Sequence, residues 1–289
     1  MALLIVSDVG CDLPQSYVEQ HKDLHILPMT YCLNGTDRPF LPVKDELELK
    51  SFYDALTKGG TSSTAQVTFN DYDSSFRELL HQGHEVIYIA LSSGLSGSYN
   101  SAKVAQKNIL EEIPAAPLYV VDSLCASLGQ GLLVDYAIKK RDEGICAQEI
   151  VNLLENGRQS FIHWFTVDDL NFLCRGGRVS KASAFIGGML KIKPVLHVNE
   201  EGKLIAKEKV KGRKHSLKRL SEKYQECCTQ KGQDVFISHG DDLSAAQFVA
   251  DDIKKYDPEA KIYISQIGTV IGSHSGPGTV ALFFLGEKR

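Results

Sequence analysis

The sequence lacks the features that would tie it to nucleic acid, membrane or metal. Its 289 residues carry 32 basic and 36 acidic side chains, a formal net charge of −4, so no basic field is available for a phosphate backbone. No run approaches the roughly 20 consecutive apolar residues of a membrane span. The apolar start, MALLIVSDVG, has no charged leader and reads as a first strand, not a signal peptide. Seven cysteines, at 11, 32, 125, 146, 174, 227 and 228, are odd in number and form no C-x-x-C pair. That argues against a disulfide framework and a structural zinc site, and fits reduced thiols in a cytoplasmic protein. The Walker pattern and G-x-G-x-x-G are missing as well, as are internal repeats and low-complexity tracts. Neither a metal nor a cofactor is expected, and neither is stable membrane insertion.

What remains is an ordinary globular composition, 43% apolar and 24% charged, long enough for one large or two medium domains with a sizeable core. Short β-rich runs alternate with helical stretches. Strands are expected over 2–7, 26–33, 40–43, 85–91 and 118–122, and helices over 47–58, 71–82, 98–113, 127–143 and 147–157. The helix over 71–82 rests on the stripe Tyr72, Phe76, Leu79 and Leu80, and the strand over 85–91 on the unbroken run EVIYIAL. Apolar strands separated by helices predict a parallel sheet covered on both faces. The pattern restarts near 161, after the junction GRQS. A strand over 161–167, a short helix over 168–174 and the turn Arg175-Gly176-Gly177-Arg178 come first. An apolar helix over 182–190, a hairpin about Asn199–Gly202 and a basic helix over 212–228 follow. Strand 234–238, helix 244–256 and strand 261–264 complete the series. The expected fold is α/β with two domains: 1–159 mostly parallel and flanked by helices, 160–289 mixed α/β.

Polar residues gather where strands end, at Ser7-Asp8, Ser92-Ser93-Gly94 and Asp122-Ser123. That is where open α/β sheets bind ligands. The turn SSGLSGS, Ser92 to Ser98, holds four serines in seven residues, more than an N-cap needs. With the free N–H groups of a helix start, it suits an anion. Its core, Gly94-Leu95-Ser96-Gly97-Ser98, approaches the G-x-S-x-G nucleophile elbow but misses the last glycine. A serine hydrolase or acyltransferase using Ser96 or Ser93 with His274 therefore stays open beside a binding site, although no acid stands out as a third member. Arg175 and Arg178 suit bidentate contact with phosphate or carboxylate, against the plainer reading of a solvated turn. Gly187 and Gly188, inside the helix over 182–190, cost about 1 kcal/mol each relative to alanine. They indicate close approach by a backbone or an apolar ligand. The stretch Thr61 to Thr68 carries five hydroxyls, only partly explained by capping. Near the end, VIGSHSGPGTVALFF sets His274 alone between two serines in a glycine-rich loop with apolar runs on either side. A lone loop histidine is usually structural, but an imidazole beside serines can hold a carboxylate or shuttle a proton.

Six segments in order carry a resemblance: IVSDVGCDLP, TAQVT, LSSGLSGSYNSA, VDSLCASLGQG, LNFLCRGGRVSKASAFIGGMLKIKPVL and IGSHSGPGTVALFFLG. Together they span nearly the whole chain and resemble the DegV family of bacterial fatty-acid-binding proteins. The resemblance implies two α/β domains with a long-chain fatty acid between them and, for some members, a role as the carrier subunit of a fatty acid kinase. There a separate ATP-binding kinase phosphorylates the acyl carboxylate. By position it implies carboxylate contacts from Thr64, Ser92, Ser93, Gly94, His274 and Ser275, with Ser62 and Ser63 as additional head-group candidates. Ala65 and Val67 depart from the family's usual serine and proline. Arg175 matches an arginine linked to kinase engagement or phosphoryl transfer. The tail is expected along Phe185, Ile186, Met189 and Leu190, and the default state is a monomer. The chemistry agrees: a buried carboxylate needs dense donors at one end of an apolar cavity. Each buried methylene contributes about 0.8 kcal/mol.

Overall fold

The computed structural model describes residues 2–40, 46–179 and 192–289. In chain order the elements are β1 (Leu3–Asp8), α1 (Gln15–Gln20), β2 (Leu24–Leu27), β3 (Met29–Leu33), β4 (Thr36–Phe40), α2 (Glu46–Thr57), β5 (Ser62–Ala65) and α3 (Phe69–His81). Next are β6 (Glu85–Ala90), α4 (Ser98–Glu112), β7 (Leu118–Asp122), α5 (Leu128–Asp142), α6 (Ala147–Gly157), β8 (Phe161–Thr166), α7 (Asn171–Arg175) and β9 (Ile192–Val198). Then come β10 (Leu204–Lys211), α8 (Arg213–Cys227), β11 (Asp234–His239), α9 (Leu243–Tyr256), β12 (Lys261–Gln266), α10 (Thr269–Ser275) and β13 (Val280–Leu285). No helix among the described residues is long and apolar enough to cross a membrane.

The expected α/β class is what the chain adopts. The first sheet, β2-β1-β6-β7, is parallel throughout. Its strands are apolar runs buried along most of their length, as two-sided burial requires. The pairs α3/α4 and α5/α6 pack on it. The second sheet, β10-β9-β8-β13-β11-β12, is mixed: only β11 and β12 run parallel. Here side chains alternate between two cores, as the two-residue period of a strand dictates. On β8 and β13, Ile162, Trp164, Leu282 and Phe284 meet α8 and α9 on one face. Phe161, Phe165, Ala281 and Phe283 join the core of the first sheet on the other.

Helix α5 lies between the two sheets and touches β1 and β6 of one and β8, β11 and β13 of the other. Ten of its fifteen residues are buried, so its apolar positions go all the way round and show no amphipathic stripe. Two glycines let both sheets come close. A Cβ on Gly129 would collide with the His163 ring, and one on Gly131 would lie 2.8 Å from the Cys11 carbonyl oxygen.

Three local readings change. The strand expected over 26–33 is broken at Pro28, which has no N–H for a ladder. Its halves, β2 and β3, belong to different sheets. The hydroxyl-rich loop is partly the strand β5, which pairs with β3 in a small antiparallel sheet, β4-β3-β5. The loop around His274 is the helix α10, closed by Gly276 at φ 77°, the left-handed exit that glycine supplies, with Pro277 behind it. The hairpin turn falls at Asn199–Gly202 as expected. Asn199 Oδ1 accepts the N–H groups of Glu201 and Lys203 at 3.1 and 2.8 Å.

That turn docks on the serine-rich turn after β6. Gly202 has φ 71°, and a Cβ there would overlap Ser92 Oγ. Replacing Gly202 by alanine should therefore destabilise the chain by roughly 1–3 kcal/mol. It should appear as a lower urea midpoint with an unchanged slope.

Candidate functional site

A cavity of about 490 Å³ opens where α5 begins, between the two large sheets and α10. That is within the range of small-molecule sites, roughly 300–1,000 Å³. Its walls are mainly apolar: Leu91, Leu95, Phe165, Val198, Val270 and Phe283 are among them. The polar groups that line it include Thr64 from β5, Ser96 after β6, Arg178 after α7, and His274 and Ser275 from α10. Asp12, after β1, fixes the starts of two helices at this end. Its carboxylate accepts the Gly268 N–H before α10 at 2.8 Å and the Ser127 hydroxyl before α5 at 2.6 Å.

His274 sits in the last turn of α10, and its Nε2 lies 2.8 Å from Thr64 Oγ1. Its Nδ1 is buried with no hydrogen-bond partner among the described residues, and so is Ser275 Oγ. Gly176 packs directly on the Nδ1 edge, so close that a Cβ there would collide with it. Burial first, and the Arg178 charge second, push the imidazole down to about 4. The ring is therefore neutral at pH 7, with one nitrogen donating and the other accepting. When Nε2 accepts from Thr64, Nδ1–H is left to donate, and the Ser275 hydroxyl is a second unspent donor. A buried donor without a partner costs about 1–3 kcal/mol, so this corner favours a ligand that accepts hydrogen bonds.

The structure brings Thr64, His274 and Ser275 together at the cavity. It directs the other head-group candidates elsewhere. Ser92 is fully buried, and its hydroxyl donates to the Gly202 carbonyl at 2.9 Å. Ser93 is exposed, and its N–H donates to Asp122 Oδ1 at 3.1 Å. Gly94 packs on the hairpin turn, where a Cβ would lie 2.6 Å from the Glu201 carbonyl oxygen. The reason is the turn itself. The N–H groups of Leu95 and Ser96 both donate to the Ser92 carbonyl at 3.0 Å, and this helical turn brings Ser96 and Gly97, not Ser92 or Ser93, to the cavity wall. Ser62 bonds Ser273 Oγ at 2.5 Å and ties β5 to α10. Ser63, on the opposite face of β5, is exposed. Thr68 is spent on a capping box with Asp71 at the start of α3, and Val67 is buried in the core.

Arg175 is exposed outside the cavity lining, its guanidinium 4.6 Å from the centre of the Phe172 ring. Arg178, three residues on, lines the cavity. Its Nε donates to the Leu95 carbonyl at 3.3 Å and its Nη1 to that of Gly176. Phe185, Ile186, Met189 and Leu190 lie outside the described residues. Sequence reasoning missed His163, a cavity-lining imidazole on β8 that is buried among apolar groups; its place in an apolar run, FIHWF, was the available signal. No group of three or more metal-ligating side chains occurs among the described residues.

The family model described as "Uncharacterised protein, DegV family" matches residues 2–287. The chain belongs to the DegV family. A DegV domain-containing protein of Clostridium perfringens is 41% identical over 99% of this chain and 98% of its own length. A DegV lipid-binding protein from Thermotoga maritima has a TM-score of 0.87 at 29% identity, with both chains fully covered. A fatty-acid-binding DegV family protein from Streptococcus agalactiae has a TM-score of 0.85 at 30% identity, again over all of both chains. The family fold thus accounts for the sheet order and for the place of α5 in this member.

The lowered His274 carries a pH prediction. Its unfolded value is near 6.5 and its folded value about 4, so the folded chain binds fewer protons between those limits. The associated stability is present above pH 6.5 and is lost as pH falls through 4. His274→Gln should remove on the order of 2 kcal/mol from the loss of stability between pH 7 and 4.5, measured by urea titrations at each pH.

Proposed function

We propose that this DegV family member binds a long-chain fatty acid in the cavity, with its carboxylate at Ser96, Ser275 and the hydrogen-bonded Thr64–His274 pair, which has one proton to offer it, and its tail against the apolar walls. The observation that carries the reading is the division of one cavity into an apolar body and a corner of unspent donors around a neutral imidazole. A fatty acid has the same division. Solved DegV relatives described as fatty-acid-binding, including that from Streptococcus agalactiae, support it. We read 1–159 and 160–289 as two domains with the ligand between them, in keeping with the separate sheets and the short helical turn Arg158–Ser160 that joins them.

We further propose that the bound carboxylate is presented to a separate ATP-dependent kinase. Hydroxyls and a neutral ring make the direct contacts, and the nearby Arg178 guanidinium is spent on the Leu95 and Gly176 carbonyls, which keeps the carboxylate oxygens nucleophilic. Arg175 is exposed and adjoins Gly176, the residue that packs on His274. A kinase reaching the head group would meet this arginine at the rim.

The serine-hydrolase reading finds less support. Ser96 Oγ is 2.9 Å from Ser98 Oγ, and the imidazole nitrogen bonded at His274 faces Thr64. Among the described residues His274 Nδ1 has no carboxylate partner, so they assemble neither the base nor its orienting acid.

Solvent extraction of the purified chain followed by mass spectrometry should find a long-chain fatty acid at close to one per chain. Ser96→Ala should weaken palmitate binding roughly tenfold, the loss of one hydrogen bond to a charged group. Ser93→Ala should leave it unchanged. A ligand-free extract together with no uptake of labelled palmitate would falsify the binding reading.

A further inference from the structure

A second hollow, of about 360 Å³, lies between β8, β9, β10, α8 and the segment after β13. The alternation along β8 sends His163 and Phe165 to the cavity at α5 and Ile162 and Trp164 to this one. Its size is within the range of small-molecule sites. The register of β10 shapes it. Ala206 pairs with Leu196 and Glu208 with Val195, so Lys207 is the extra residue of a bulge. A bulge re-aims side chains. A regular strand would point Lys207 and Glu208 to opposite faces, yet both line the hollow.

The lining is positively charged. Lys207, Lys223, Lys288 and Arg289 stand against one acid, Glu208. Glu208 is already held by Arg219 at 2.7 Å and by Lys223 at 2.9 Å. Lys223 also meets Glu226 at 3.0 Å, and Lys288 meets Glu200 at 3.1 Å. Lys207 has no ion-pair partner among the described residues. Arg289 gives its N–H groups to the carbonyls of Leu124, Arg158 and Phe161 and to the Cys125 sulphur. Its charge therefore meets no carboxylate side chain among the described residues.

Two neutral groups add direction to this charge. Trp164 is buried, and its indole N–H has no hydrogen-bond partner among the described residues. His197 stands opposite Trp164 in the β8–β9 pairing, with the two ring centres 4.5 Å apart. Its Nδ1 lies 2.8 Å from the His163 carbonyl, which can only accept, so Nδ1 carries the proton and Nε2 keeps its lone pair. Burial first, with the charges of Arg289, Lys207 and Lys223 outweighing the His163 bond, pushes this imidazole down to about 4. The ring is neutral at pH 7. One hollow thus combines unmatched positive charge, an unpaired N–H donor and an imidazole acceptor.

We propose that this hollow binds a small phosphate monoester that carries hydroxyl groups. The phosphate accepts from the Trp164 N–H and the Lys207 ammonium in the field of Arg289, and a hydroxyl of the same molecule donates to His197 Nε2. Charge-assisted bonds supply the affinity for the phosphate, and the acceptor at His197 selects for the hydroxyl. The site is separate from the cavity at α5 and does not depend on what that cavity holds.

Trp164 is the only tryptophan in the chain, so its emission reports on the hollow directly. The test is titration with glucose 6-phosphate at pH 7.5 and constant ionic strength, followed by Trp164 emission and by calorimetry, with methyl phosphate as the comparison ligand. The parent should show a saturable change and bind glucose 6-phosphate about tenfold more tightly than methyl phosphate, which has no hydroxyl to give. Lys207→Ala should weaken both ligands about tenfold. Lys261→Ala, the same charge change on exposed β12, should leave both unchanged. His197→Phe should abolish the preference between the two ligands. Absence of saturable binding in the parent overturns the proposal. Equal weakening by Lys207→Ala and Lys261→Ala also overturns it, since that is the signature of bulk charge. Equal affinity of the parent for the two ligands overturns the hydroxylated class.

Discussion

The arrangement depends on one buried helix. α5 fills the space between the two large sheets, and its glycines bring His163 on one side and the Cys11 carbonyl on the other close to its axis. A helix with larger residues at those positions would hold the sheets further apart. Because α5 starts only at Leu128, the gap beyond its first turn is left to the side chains of the surrounding walls, and the cavity opens there, with Ala126 and Ser127 on its floor. The sheets' inner faces are apolar because they must bury against α5, and the same alternation of side chains makes the cavity apolar. Packing and site chemistry therefore share one cause.

The polar end follows from a second constraint, the cost of burying charge. A cation sunk beside the ligand would need its own solvation replaced. The chain instead sets hydroxyls and a neutral imidazole at the end of a short helix. Burial keeps His274 neutral, and the Arg178 guanidinium nearby works in the same direction. That guanidinium is itself occupied by the carbonyls of Leu95 and Gly176, so it braces two wall segments while adding a favourable field for an anion. Asp12 and the Ser62–Ser273 bond hold α10 against the strands that complete the corner.

Much of this was legible in the residues. The apolar runs and their helical spacers gave the α/β class, and the strand ends located the polar turns. Thr64, His274 and Ser275 were singled out from the sequence and converge on the cavity. What was not legible was direction. The sequence shows four serines between 92 and 98, but only the backbone bonds from Leu95 and Ser96 to Ser92 decide which of them turns inward. The register of β5 likewise sends Ser62 and Thr64 one way and Ser63 the other. Pro28 was a readable signal that 26–33 could not be one strand. Helix α10 was hidden because its glycine and serines have weak helical preference; contacts with β5, β3 and α7 hold it instead.

The fatty acid is proposed to occupy the gap at the start of α5. Ala126 is a part-exposed wall residue of that gap, so Ala126→Trp places bulk in the cavity at little cost to the core. Equilibrium binding of labelled palmitate, with thermal unfolding measured alongside, tests this placement. A melting temperature close to the parent's and binding weakened at least tenfold are expected. Parental affinity in a folded Ala126→Trp chain would contradict it and place the fatty acid elsewhere.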